Sequence, residues 1–164
     1  MMKKTLITVL TGCSIMALAK NTPTPEKTYD TERIFHADEQ AEKMNDTEAI
    51  LAVIDTYIEG LRTGRVDLLK KCFHKDATMY GYSVENKITE GSVDHLYDLI
   101  AKHGALAKVT SKNSVLHQTS NTASVLAELK TTALHENSTD YLSLMKINGE
   151  WKIISKVYHL SYAN

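Results

Sequence analysis

Apolar residues recur at helical spacing from Asp46 to Arg62, and the period changes to two in the C-terminal third of the chain. Ile50, Val53, Ile54, Tyr57, Ile58 and Leu61 form one stripe, which predicts a helix over Thr47–Arg62. Asn45 or Asp46 can cap it, Glu48 suits its first turn, and Gly64 can end it. Val66–Phe73 predicts a second, short helix with Leu68, Leu69, Cys72 and Phe73 inward, and Ala77–Tyr82 a strand. A third helix is expected after Gly91, with Ser92 as N-cap, Val93, Leu96, Tyr97 and Ile100 inward, and Gly104 at its end. Four strands should follow, over Lys108–Thr119, Thr122–Leu134, Asp140–Ile147 and Glu150–Leu160. Turns fall at Ser120-Asn121, Asn137-Ser138 and Asn148-Gly149. The last is the strongest hairpin signal, because a type I′ turn needs positive φ at both central residues.

Three helices and one strand, then a four-strand meander, make an α+β fold. Long strands curl when helices cover one face, which leaves a hollow between the layers. Both faces of the final strands are apolar. Trp151, Ile153 and Val157 are expected on one side and Ile154, Tyr158 and Leu160 on the other; Tyr141 and Met145 oppose Leu142 and Leu144. A half-solvated sheet would alternate with polar residues instead. The second face therefore calls for a partner, most simply another copy about a two-fold axis.

The N-terminal segment changes the expected setting. Lys3 and Lys4 precede an uncharged apolar run from Thr5 to Leu18, and Ala17-Leu18-Ala19 fits a signal-peptide cleavage site. Residues 1–19 are read as a signal peptide, 20–45 as a linker able to hold a short helix at Ile34–Met44, and 46–164 as the folded domain. This places the mature protein in the periplasm or outside the cell. The alternative is a lipoprotein anchored to a membrane through Cys13 of Leu10-Thr11-Gly12-Cys13. Either way Cys72 is left alone and makes no intramolecular disulfide, so the fold rests on its core. Cys72 occupies an apolar helix position and reads as a small buried hydrophobe.

The 164 residues carry 19 basic and 20 acidic side chains, a formal net charge of −1. That balance supplies no excess of cations for phosphates and argues against nucleic-acid binding. No paired cysteines, His-x-His or His-Glu-x-x-His spacing marks a metal site, and no Gly-rich phosphate loop or Gly-x-Ser-x-Gly elbow occurs. No cofactor is expected.

Three stretches carry a resemblance: Tyr57-Ile-Glu-Gly-Leu-Arg-Thr-Gly64, Phe73-His74-Lys-Asp76-Ala77, and Tyr141 through the Asn148-Gly149 hairpin to Val157. In this order, and with these intervals, the chain resembles the nuclear transport factor 2-like superfamily, and most closely its lumazine-binding (SnoaL-like) branch, over about Asp46–Leu160. The resemblance implies a cone-shaped roll, three N-terminal helices on a curved, mostly antiparallel sheet, commonly a dimer through the outer sheet face. Fold in this superfamily is a weak guide to activity, since it holds isomerases, dehydratases, cyclases and non-enzymatic domains.

Its steroid isomerases use a Tyr on the first helix and two carboxylic acids. Tyr57 matches the first, but an ungapped register places Gly81 and Ser143 at the acid positions. Without those carboxylates the proton shuttle has no base, which argues against that reaction. The dehydratase-like relatives use a His and an Asp. Of His36, His74, His95, His103, His117, His135 and His159, His117 and His135 are expected on meander strands within reach of the hollow, and they join Tyr57 as catalytic candidates. Asp140 could orient such a base if its strand register faces inward. A binding pocket lined by Tyr57, Tyr80, Ser143, Lys156 and Tyr158 would be aromatic with a few polar tips. Lys156 would meet an anionic or carbonyl-bearing ligand if it faces the hollow, or sit at the dimer rim if it faces out. The leading expectation is a domain that binds a small apolar or aromatic molecule. The alternatives are a cofactor-free lyase or isomerase using a Tyr–His pair, and a non-catalytic dimerisation module.

Overall fold

The computed structural model describes residues 31–163 other than 107, 133 and 134. The expected signal peptide, the Cys13 alternative and both prolines lie outside the described residues. Three helices, α1 (Thr31–Thr63), α2 (Val66–Cys72) and α3 (Asp94–His103), pack on six strands. The strands are β1 (Phe73–Tyr82), β2 (Ile88–Thr89), β3 (Val109–Gln118), β4 (Thr122–Thr131), β5 (Glu136–Ile147) and β6 (Glu150–Tyr162). Their order is β2-β1-β6-β5-β4-β3, with β1 parallel to β6 and every other pairing antiparallel. The α+β class and the helices-on-one-face arrangement are as expected.

Several boundaries differ for physical reasons. Helix α1 begins at Thr31, not Thr47, so the segment read as linker with a short helix at Ile34–Met44 is helical from Thr31 onward. A helix can continue without an apolar stripe where propensity alone supports it, as Ala, Glu and Lys do here. Helix α3 begins at Asp94 with Val93, not Ser92, at the N-cap; Ser92 instead accepts a hydrogen bond from the Asp94 N–H at 3.1 Å in the turn that leads in. Strand β2 is too short for periodicity to reveal. Asn137 and Ser138 are not a turn but the start of β5; the reversal lies just before them, with His135 at φ 52°. The Asn148-Gly149 hairpin forms with φ 52° and 83°, as its residues demand.

One core joins the layers. Ile50, Ile54, Tyr57 and Leu61 of α1, Leu69 and Cys72 of α2, and Leu96, Tyr97 and Ile100 of α3 meet Val125, Ala127, Leu142, Leu144, Trp151 and Ile153 of the sheet. The N-terminal half of α1 is tied to the β5–β6 hairpin, where Asp46 Oδ1 accepts from Lys146 Nζ at 2.7 Å and from Trp151 Nε1 at 3.1 Å.

Strand β6 contains a bulge: Ser143 pairs with Ser155 and Leu144 with Ile153, leaving Ile154 as the extra residue. The expected alternation therefore fails beyond Ile153. Lys156, Tyr158 and Leu160 continue the inward face begun by Trp151 and Ile153, while Val157, expected with that pair, is exposed on the outer face.

Candidate functional site

Tyr57 and Lys156 meet at the wall of a cavity between α1, α3 and the inner face of the sheet, with Asp140 buried against both. A different local rule delivers each one. Tyr57 follows Ile54 by three residues and precedes Leu61 by four, so it lies on the buried stripe of α1. Asp140 precedes Leu142 and Leu144 by two and four residues, and strand alternation turns all three inward. Lys156 lies opposite Leu142 on β5 and Met79 on β1, brought inward by the Ile154 bulge.

The three side chains form a closed polar cluster. The Tyr57 hydroxyl donates to Asp140 Oδ2 at 2.7 Å, the Lys156 ammonium pairs with the same oxygen, and the Ser138 hydroxyl donates to Oδ1 at 2.6 Å. Asp140 is fully buried and Lys156 is 4% exposed. An unpaired carboxylate at that depth would cost several kcal/mol; the cation and two hydroxyl donors offset this. The Lys156 nitrogen also lies 4.7 Å from the Tyr158 ring centre and 5.5 Å from that of Tyr57, within cation–π range of both. Burial, reinforced by the Asp140 charge, holds the Tyr57 phenol well above its ordinary pKa, so it stays a donor. Burial pulls the Lys156 ammonium below its usual range, against the opposing pull of Asp140. The amine is therefore easier to deprotonate than desolvation-free lysine would be.

Around this cluster the cavity is mostly apolar, with Leu61, Leu96, Leu99, Leu129 and Leu160 on its walls and Glu136, Asn137 and Ser138 at one side. Its volume is about 140 Å³. Cavities of roughly 150 Å³ hold a benzene ring, which sets the scale of ligand that fits without rearrangement.

Of the residues expected to line one pocket, the fold brings together Tyr57, Lys156 and Tyr158. Tyr80 and Ser143 are on the opposite face. Tyr80 pairs with exposed Val157, and Ser143 with Ser124 and Ser155, all on the outer side of the sheet. His117 also faces outward beside Ser124 and is exposed, because a second bulge at Leu116 shifts its strand by one residue. His135 is exposed in the turn before β5, not on a strand. Among the described residues no histidine lines this cavity, so the expected Tyr–His pair does not form. His74 accepts a hydrogen bond from the Asp76 N–H at 3.2 Å, the turn role its motif suggested. Cys72 is buried with its thiol pushed up to about 12, which suits a core residue rather than a nucleophile.

Gly81 does face inward, but its space belongs to Tyr158. A Cβ at Gly81 would lie 2.4 Å from both Cδ1 and the carbonyl oxygen of Tyr158. Ser143 faces the outer side of the sheet and does not line this cavity, and the inward carboxylate of β5 is Asp140. From the sequence, Asp140 is expected only as a partner for a histidine, and Ser138 in a turn. The signal for Asp140 was its even spacing from Leu142 and Leu144.

The fold and this inward-facing polar cluster define an α+β domain of the nuclear transport factor 2-like superfamily. Within it the chain belongs to the family described as Putative lumazine-binding, whose model matches residues 45–159. It is 31% identical over 112 residues to the aldolase FrzH of Cladobotryum sp., a match covering 68% of this chain and 89% of that protein. Among solved structures, an NTF2-like protein of unknown function from Methylobacillus flagellatus KT is 29% identical, with TM-score 0.66 over 71% of this chain and 92% of that one. Another, from Shewanella baltica OS155, is 25% identical, with TM-score 0.64 over 73% and 97% of the two chains. Among the described residues, no group of three or more His, Cys, Asp and Glu is placed to hold a metal ion.

Proposed function

We propose that the cavity takes up a small, mainly apolar carbonyl compound and that the protein acts on it as a lyase of the aldol type, using only its own side chains. The observation that carries this reading is Tyr57 and Lys156 at the cavity wall, both bonded to the buried Asp140. Chemistry beside a carbonyl group needs a donor for the oxygen and a base for the neighbouring carbon. The Tyr57 phenol supplies the donor, and Lys156, with Asp140 behind it to take its proton, supplies the base. The similarity to a protein named an aldolase supports the same class of reaction. The reading keeps the expected small-molecule site and the lyase alternative, and replaces the histidine of that alternative with Asp140 and Lys156.

Exchange of the protons next to a carbonyl in deuterated water tests this directly. With phenylacetaldehyde or benzylacetone, exchange followed by proton NMR should be faster with the protein than with buffer. Asp140→Asn should lose most of that acceleration, within the 10²- to 10⁴-fold typical of a positioned base. Retention of such compounds with no acceleration, and no effect of Asp140→Asn, would leave only binding.

A second reading, binding without turnover, has one observation in its favour. Both oxygens of Asp140 already hold partners, so the cluster is satisfied without a ligand.

A further inference from the structure

We propose that Lys156 acts as a covalent nucleophile, forming a Schiff base with an aldehyde or ketone held in the cavity. This rests on the preceding reading that a carbonyl compound occupies the site, and adds to it a bond and a residue.

Geometry is the first support. Lys156 is buried at 4% exposure yet lines the cavity, so its nitrogen meets a ligand there rather than bulk water. Its charge partner, Asp140, is fully buried and holds the ammonium through a single oxygen, the one Tyr57 also uses. A carboxylate in direct contact with a buried ammonium is a ready acceptor for its proton, since the two charges cancel on transfer within a medium that solvates neither well. The Tyr57 hydroxyl stands at the same oxygen, where it can donate to the carboxylate or to an incoming carbonyl. The downward pull of burial on the amine favours the same transfer.

The chemistry balances without a further reactant. The Lys156 ammonium passes one proton to Asp140. The freed amine lone pair forms a bond to the carbonyl carbon, the carbonyl π pair moves to oxygen, and one of the two protons on the now cationic nitrogen passes to that oxygen to give a neutral carbinolamine. That carbon–oxygen bond then breaks, with the nitrogen lone pair completing the double bond, and the oxygen leaves as water carrying the proton returned by Asp140. The net change is ammonium plus carbonyl to iminium plus water, with charge unchanged. Asp140 again faces a cation, so the buried pair remains neutral as a whole.

This assigns a substrate class. A neutral aldehyde or unhindered ketone with a compact apolar or aromatic substituent fits the leucine-rich wall and the volume of about 140 Å³. A carboxylate ligand is disfavoured, because Asp140 already neutralises the only cation among the residues lining this cavity.

Borohydride reduction in the presence of phenylacetaldehyde, followed by peptide mapping of the wild-type protein, tests the assignment. The expected result is an added mass equal to the aldehyde less its oxygen, concentrated on the peptide bearing Lys156 and absent at that site in Lys156→Met. Exposed Lys75 and Lys87, each in a surface ion pair, serve as internal references. Labelling of those residues with none at Lys156 would overturn the proposal. Mapping the wild type alone decides this, so the outcome does not depend on the variant folding. The corresponding alcohol, 2-phenylethanol, cannot form an imine. If it binds in calorimetry while Lys156 stays unlabelled, the cavity reading survives and covalent attack fails; if neither occurs, both fail.

Discussion

Lys156 and Asp140 depend on each other more than on any other contact. Replacing Lys156 by Met leaves a buried carboxylate without its cation, and the expected loss is about 3–5 kcal/mol of folding stability. Removing both charges, as in Asp140→Leu with Lys156→Met, should cost clearly less than the two single losses added together. It should not be free, since the buried Tyr57 hydroxyl then lacks an acceptor, a penalty of about 1–3 kcal/mol. Urea unfolding of the four proteins measures the cycle, and simple additivity would show that the pair is not coupled. How much of this cluster the sequence discloses follows from how each residue announces itself. Tyr57 is visible because a helix stripe has a single buried side. Asp140 is half visible: its spacing groups it with Leu142 and Leu144, but nothing local says which group faces the helices. Tyr80 and Ser143 were misplaced for the same reason, since aromatic and small polar residues suit either face of a sheet whose two sides are both apolar.

At the level of elements, the tie between α1 and the β5–β6 hairpin is the contact most open to titration. The hydrogen bond from Lys146, with help from Trp151, holds the Asp46 carboxyl below the usual carboxylate range. A carboxyl depressed in the folded state contributes stability fully above its unfolded pKa of about 4 and loses it as pH falls through the folded value. Thermal unfolding between neutral and strongly acid pH should therefore show an acid-side loss that is smaller in Asp46→Asn. An unchanged pH profile in that variant would mean the tie contributes nothing on folding. Most elements were legible because their periods are strong: α2, α3, β1 and the four long strands all formed near their expected positions. The exceptions have no period to read. The start of α1 has helix propensity without a buried stripe, and the reversal at His135 has neither glycine nor proline to mark it.

For the molecule as a whole, the outer face of the sheet is marked by exposed apolar side chains. Tyr80, Val157 and Tyr141 lie side by side across β1, β6 and β5, each between 44% and 54% exposed. An uncharged aromatic row of this kind is unusual on a solvated sheet. The occupant we propose is a second copy of the chain, since an isologous contact lets one such row serve both sides. Sedimentation velocity should then report a dimer, and Tyr141→Glu should convert it to a monomer with unchanged circular dichroism. A wild-type monomer at micromolar concentration would dispose of this interface.

The bulge at Ile154 reaches further than its single residue suggests. It acts as a phase shifter between the hairpin end of β6 and its distal end. Were Ile154 part of an unbroken alternation with the same sequence, Ser155, Val157 and His159 would face the helices, and Lys156 and Tyr158 would join the outer surface. Asp140 would then be buried without a cation, and the proposed dimer face would gain a positive charge in the middle of its aromatic row. The character of both sides of this sheet is thus set by a count of residues as much as by their identity. A relative could exchange a charged interior for an imidazole-bearing one by gaining or losing one position in a strand, with every side chain left as it was.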